Sequence, residues 1–167
     1  ADVPGTQTIY RFNRLIHEQR EALTNGESLA EAAILESPLN VQLAGAIQAP
    51  SGDDVHKREA AARQLAVPRH LDEFHGLYAA FCRSGYPCDV VDENLLLNDE
   101  LPGRIKLLVL PGIGAVSDRL AEKLRQFVSE GGRLLATFDT SLFDEQGARR
   151  KDFALADVFG VRVQGDL

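Results

Sequence analysis

Residues 105–138 read IKLLVLPGIGAVSDRLAEKLRQFVSEGGRLLATF, and this stretch decides the fold. An apolar run from Ile105 to Leu110 ends at Pro111-Gly112, a pair that turns the chain. Ser117 offers a helix N-cap, and Leu120, Leu124, Phe127 and Val128 recur at the spacing of one helix face. Gly131-Gly132 stops that helix, and Leu134 to Phe138 is a second apolar run of strand length. Strand, capped helix and strand in this order predict a right-handed β-α-β unit within a parallel sheet.

The pattern extends upstream. Leu71, Phe74, Tyr78 and Phe81 follow helical spacing, Gly85 ends that helix before Tyr86-Pro87, and Cys88 to Val91 reads as a strand. Ala30 to Leu35 reads as the first strand, bounded by Ser37-Pro38. From Thr8 to Asn25 an amphipathic helix is expected, with Ile9, Phe12, Leu15, Ile16 and Leu23 on one side and Arg11, Arg14, Glu18, Arg20 and Glu21 on the other. Between Pro38 and Pro68 lies a long connection. Ser51 to Leu65 carries helix-start signals, while Val41 to Ile47, apolar without clean periodicity, suits an irregular packed loop or a small strand. Downstream come a polar loop from Asp139 to Lys151, a short helix through Phe153, Leu155, Val158 and Phe159, and a last strand candidate, Val161 to Val163. Strands alternating with helices place the chain in the α/β class.

The chain has 167 residues, 44% of them hydrophobic, a one-domain length with enough apolar content for a sizeable core. No run approaches the roughly 20 apolar residues of a membrane helix, and Ala1 to Thr8 lacks the layout of a signal peptide. The formal charge of −7 argues against a nucleic-acid backbone or an anionic membrane as the main partner. Cys82 and Cys88 are too few for a zinc site or a disulfide framework; the expectation is a soluble protein, with the cytoplasm favoured, and no cofactor or metal. The absence of Met, Ala at position 1, and a strand candidate ending so near Leu167 that its sheet edge would lack cover make the sequence read as a piece of a longer protein.

In open parallel sheets, sites form beyond the carboxyl ends of the strands, which points to Ser37, Asp92, Gly112, Gly114, Asp139, Thr140 and Ser141. The turn Pro111-Gly112-Ile113-Gly114 lacks the spacing of a dinucleotide or phosphate loop and reads first as turn glycines. A flavin phosphate would want a Ser/Thr/Gly-rich loop after the first strand, which Glu36-Ser37-Pro38-Leu39-Asn40 does not supply. Cys82 and Cys88 are expected to be packed, and His17, His56, His70 and His75 to hold surface or capping positions. Asp53, Asp54 and His56 resemble metal ligands in composition, yet adjacent acids after Ser51 fit a helix first turn better. Asp139, Asp144 and Glu145 with Ser141 form a polar cluster that reads first as turn chemistry, with Arg149-Arg150-Lys151 as a solvated edge or a salt-bridging partner to those acids. No catalytic residue is assigned; Gly112, Gly114, Asp139, Thr140 and Ser141 are the candidate ligand-binding set.

From Leu108 to Val161, through VLPG and AVSDRLAEKLRQFVSEGGRLLATFDTSLFDEQGARRKDFALADVFGV, the sequence resembles the β-galactosidase trimerisation domain of glycoside hydrolase family 42 and related hypothetical glycosyl hydrolases. HLDEFHGLYAAFCRSGYPCDVVD at 70–92 and SLAEAAILES at 28–37 match the same family, whereas 38–68 looks like an insertion. The resemblance implies a flavodoxin-like three-layer α/β/α sandwich with a mostly parallel sheet, similar to class I glutamine amidotransferases. In those enzymes a nucleophilic Cys sits in a Gly-x-Cys-x-Gly elbow after the strand equivalent to Leu134–Phe138. Here Phe138-Asp139-Thr140-Ser141 stands in its place, and no His and Glu pair follows before Leu167, so that chemistry is expected to be lost. The resemblance further implies that residues 1–28 are a linker helix from an upstream (β/α)8 barrel, that residues 29–167 are an accessory domain truncated at its C-terminus, and that the partner is a second copy of the chain, forming a homo-oligomer, with three subunits as the family name suggests. Ile9, Phe12 and Ile16 are the residues expected to carry that association. The competing readings are a divergent amidotransferase-like enzyme using Asp139 to Ser141, and a carbohydrate- or nucleotide-binding module at Gly112 to Gly114.

Overall fold

A computed structural model describes residues 4–24, 26–48 and 69–164. The helix expected around Ser51, with Asp53, Asp54 and His56, lies outside the described residues. Four strands, β1 (Ala32–Glu36), β2 (Cys88–Asp92), β3 (Leu107–Leu110) and β4 (Arg133–Ala136), form one sheet in the order β2-β1-β3-β4. Every pairing is parallel, with Ile34 opposite both Val90 and Val109, and Val109 opposite Leu135. The central strands β1, up to its exposed last residue Glu36, and β3 are apolar because both of their faces are covered.

Among the described residues seven helices connect or flank the strands: α1 (Pro4–Glu18), α2 (Arg20–Thr24), α3 (Pro38–Gln48), α4 (Arg69–Ser84), α5 (Glu93–Leu97), α6 (Asp118–Ser129) and α7 (Ala156–Phe159). On one face of the sheet Ala33, Leu35, Leu108 and Leu110 pack against Leu96 of α5 and Leu120, Ala121 and Leu124 of α6. The alternate residues Ile34 and Val109, fully buried, point to the opposite face, where α4 packs on β1 and β2. The result is the expected flavodoxin-like three-layer arrangement. Ser117 caps α6 by accepting the Leu120 N–H at 3.2 Å, as its position predicts. The following Gly132 has a steric cause: a Cβ there would stand 2.4 Å from the Phe127 ring, so a side chain would push the end of α6 away from β4.

Several local expectations are corrected. Val41 to Ile47 is neither loop nor strand but belongs to α3. Ser37 accepts the Asn40 N–H at 3.3 Å and Pro38 occupies the first helical position, both good helix-start choices. Leu39 and Leu43 pack on the cluster of Ala115, Leu142 and Phe143, and Val41 is half-buried as well, which blurs the helical period. The N-terminal helix starts earlier than Thr8 and breaks at Gln19 into α1 and α2. On α4 His70 is buried and Glu73, Phe74, Leu77, Ala79 and Phe81 are half-buried, while Leu71 and Tyr78 are exposed. Val161 to Val163 is not a strand: Gly160 ends α7 in the left-handed region at φ +68°, and the Val163 N–H is taken by the Asp152 carboxylate at 3.0 Å. Thus β4 is an edge strand, with no strand on its outer side among the described residues.

Candidate functional site

The carboxyl ends of β1 and β3 meet beneath the start of α4. His70, in its first turn, is fully buried. Its Nδ1 lies 2.7 Å from the Pro111 carbonyl oxygen and its Nε2 3.4 Å from the Ser37 nitrogen. The arrangement fits a neutral ring with Nδ1–H donating to Pro111 and Nε2 accepting from the Ser37 N–H. Burial lowers the His70 pKa, only partly opposed by the Pro111 bond and the nearby Glu36 and Glu73 charges. The imidazole therefore ties β1 to β3 at their ends.

Around it the polar groups form a closed network. Asn40 donates through Nδ2 to Ser37 Oγ at 2.7 Å and to the Ala115 carbonyl at 2.8 Å, and its Oδ1 accepts the Ala115 N–H at 2.9 Å. Ser37 Oγ donates to Glu93 at 3.3 Å. Burial pushes the Glu93 carboxyl above its usual range, with donors from Leu39 and Ser37 pulling it back. Thr137, just past β4, accepts the Gly112 N–H at 2.9 Å and donates to Glu73.

All five predicted ligand residues lie in this neighbourhood. Gly112, in the left-handed region at φ +52°, lies against His70 and Glu73, and the Asp139 carboxylate stands 3.5–3.6 Å from the place of a Gly114 Cβ. Thr140 and Ser141 are buried. The Thr140 hydroxyl faces the carbonyls of Thr137 at 2.7 Å and Leu110 at 3.3 Å. Ser141 donates its N–H to Ile113 at 2.8 Å, and its hydroxyl accepts the Leu155 N–H at 3.2 Å. Geometry thus assembles the set, but two of its hydroxyls hold the loop together. Asp144 closes a turn by accepting the N–H groups of Gln146 and Ala148, and Arg150 pairs with Asp118 at 2.7 Å instead of with Asp144 or Glu145.

Sequence reasoning missed His70 as a strand-end residue. It sits in the first turn of a helix rather than after a strand, and only the packing of α4 brings it to Pro111. Cys82 is also corrected: it is exposed, close to the Tyr78 hydroxyl, whereas Cys88 is partly buried and its thiol is pushed up by burial. Among the described residues no group of three or more His, Cys, Asp or Glu could hold a metal ion, and no helix is long and apolar enough to cross a membrane.

The profile of the beta-galactosidase trimerisation domain matches residues 11–165. The chain belongs to that family. The beta-galactosidase BglY of Alicyclobacillus acidocaldarius is 38% identical over 68 residues, which cover 41% of this chain and 9% of that protein. The crystal structure of a beta-galactosidase from Bifidobacterium adolescentis shares the fold at a TM-score of 0.60 and 24% identity, over 80% of this chain and 55% of that one. One from Bacillus circulans sp. alkalophilus gives 0.63 at 20% identity, over 87% and 19%. The segment shared with the curated relative therefore spans under a tenth of that protein's length, and the chain covers about a fifth of the Bacillus circulans sp. alkalophilus enzyme.

Among the described residues of this trimerisation domain, apolar side chains stay in solvent on α1 and beside β4. On α1, Ile9, Phe12 and Ile16 are 61%, 59% and 41% exposed. Beside β4, Leu135, Phe138 and Val161 are 46%, 58% and 53% exposed. Single exposed apolar residues are ordinary, but an apolar stripe on one helix face and a cluster at one sheet edge are the usual marks of a covered surface.

Proposed function

We propose that the chain is a non-catalytic accessory domain of a glycoside hydrolase and that it acts by self-association, with Ile9, Phe12 and Ile16 of α1 in the contact. The observation that carries this reading is the exposed apolar stripe on α1 in a chain of the trimerisation-domain family. An amphipathic helix of this kind is stable only when its apolar face is covered. The segment 1–28 also serves as the connection to a preceding (β/α)8 barrel, and 29–167 is the accessory domain proper; the long relatives whose names describe beta-galactosidases support that arrangement. The commitment of the Thr140 and Ser141 hydroxyls to backbone partners speaks against their use as nucleophiles.

Sedimentation velocity on the 167-residue chain tests the reading. Self-association is expected at micromolar concentration, and the Phe12→Asp/Ile16→Asp variant should sediment as a monomer, since charges placed in an apolar contact cost several kcal/mol. A wild type that stays monomeric at high concentration overturns the reading. Assays on aryl glycosides and on glutamine should show no turnover; activity that disappears in Asp139→Asn would make the loop a catalytic site.

A further inference from the structure

The two cysteines take no part in the polar network at the carboxyl ends of β1 and β3, yet the fold brings them to one place. Cys82 lies in the last turn of α4, and Cys88 is the first residue of β2. Along β1, Ala33 and Leu35 face α5 and α6, and their partners in β2 are Asp89 and Val91. Cys88, opposite Ala32, therefore lies on the other face of the sheet, the one that α4 covers. Residues 83–87 between the two thiols fold back tightly. Gly85 takes a left-handed φ of +68° and donates its N–H to the Cys82 carbonyl at 3.3 Å, and the Tyr86 N–H goes to the Ser84 hydroxyl at 3.3 Å. The Tyr86 ring returns to 6.3 Å from that of Phe81, so β2 starts beneath the end of the helix that precedes it.

The two thiols stand in different surroundings. Cys82 is exposed and hydrogen-bonded with Tyr78, one turn earlier on α4. Cys88 is half-buried, and its Sγ donates to the Asp89 carbonyl at 3.4 Å. They also feel each other: burial is the chief cause that raises the Cys88 pKa, and the charges of Asp89 and Cys82 add to it. The Tyr78 pKa is raised by its hydrogen bond with Cys82 and by the charges of both cysteines. An exposed thiol beside a more protected one is the arrangement in which the first reacts and the second resolves.

We propose that Cys82 and Cys88 are a reactive and a resolving thiol, which a low-molecular-weight disulfide such as oxidised glutathione converts into a Cys82–Cys88 bond within one copy. In the first step the Cys82 thiolate attacks one sulfur of the oxidant, the oxidant's S–S bond breaks, and one glutathione thiolate leaves. In the second, Cys88 gives its proton to water and its sulfur attacks Cys82 Sγ, expelling the second glutathione as a thiolate that takes up a proton. Two protein thiols are oxidised and one small disulfide is reduced to two thiols. The bond staples the end of α4 to the edge strand β2, and Cys88 keeps the exposed Cys82 from cross-linking two copies.

The test exposes the reduced 167-residue chain to oxidised glutathione and reads the products by mass spectrometry after non-reducing cleavage with trypsin. Trypsin cuts after Arg83, so Cys82 leaves in peptide 70–83 and Cys88 in peptide 84–104. The wild type is expected to yield these two peptides joined by a disulfide, with no glutathione retained. In an equal mixture of unlabelled and isotope-labelled chains, the joined peptides should carry matching labels; mixed labels would put the bond between copies and overturn the proposal. Glutathione that stays on Cys82 beside a free Cys88 would mean that the thiols cannot meet, and an unmodified chain would mean that neither reacts. Either result overturns it. Two variants separate the roles: Cys88→Ser should stop at the glutathione adduct on Cys82, and Cys82→Ser should react at least about tenfold more slowly, since the thiol left to it is the protected one. Equal rates would remove the distinction between reactive and resolving thiol and overturn the proposal. The wild-type result needs no variant, so a Cys88→Ser chain that failed to fold would not leave the question open.

Discussion

The carboxyl end of β1 and β3 and the outer side of β4 lie in the same sheet, yet they are finished in opposite ways. At the first, Ser37, Asn40 and His70 are wholly buried and hydrogen-bonded to each other or to the backbone of Pro111 and Ala115. At the second, Leu135, Phe138 and Val161 face water around an apolar cavity. Open parallel sheets usually keep ligand sites at the first kind of place. Here the domain has filled that place with its own side chains and left its surplus apolar area at the edge, a layout suited to a unit that binds protein.

Breaking the closed end should produce the largest effect. Asn40→Ala removes three hydrogen bonds at once and strands the N–H and C=O of Ala115 in a site with no access to water. Each unmatched buried polar group costs about 1–3 kcal/mol, so a loss of about 3 kcal/mol is expected in denaturant titration. Charges on the α1 stripe, by contrast, should leave the monomer's denaturation midpoint unchanged. Equal destabilisation by the two changes would erase the contrast between the regions.

The closed end should also make stability depend on pH, and the sign follows from His70. Its folded pKa lies below the ordinary imidazole value, so as pH falls below about 6.5 the unfolded chain takes up a proton that the folded site resists. Stability contributed by the neutral ring is present above that range and is lost as pH falls through it, by at most about 1.4 kcal/mol per pH unit for one proton. Glu93, raised by burial, acts with the opposite sign at lower pH, since protonating it relieves its burial. The difference between wild type and His70→Gln isolates the histidine: the two should run parallel above pH 7, and the wild type should fall faster below it. A constant difference down to pH 5 would mean that His70 is protonated without penalty.

How much of this was legible differs between the two regions for a physical reason. The unit β3-α6-β4 is readable because its signals are local: the Ser117 cap, the Leu120/Leu124 spacing and the Gly131-Gly132 stop each act within one turn of chain. Gly112, Gly114, Asp139, Thr140 and Ser141 converge as strand-end residues should. The closure of that end was not readable, because it depends on His70 and Asn40, which reach Pro111 and Ala115 across 41 and 75 positions. Residue type alone suggested surface roles for every histidine, since nothing next to His70 in the chain marks it as buried. The helix α3 was hidden by apolar residues on more than one of its sides, and Cys82 by the assumption that a free thiol on an amphipathic helix faces inward.

The smallest expected effect separates the two glycines of the Pro111–Gly114 turn, which sequence alone treats alike. Gly112 has φ +52°, and a Cβ there would find ordinary contacts of 3.7 Å with His70 and Glu73. Space is therefore not the obstacle to Gly112→Ala; the left-handed backbone is, at about 1 kcal/mol. Gly114 has no positive φ, and its Cβ would meet Phe143 at 3.4 Å and the Asp139 oxygens at 3.5 and 3.6 Å. Alanine there gains from a less free unfolded chain and loses a little by crowding a carboxylate, so Gly114→Ala should fall within about 0.5 kcal/mol of wild type. Chemical denaturation of the two variants side by side checks the order. Were Gly114→Ala the more damaging, the Asp139 loop would have less room to shift than its contacts indicate, and the closed end would extend further toward Phe138 than the hydrogen bonds of Thr137 and Thr140 imply.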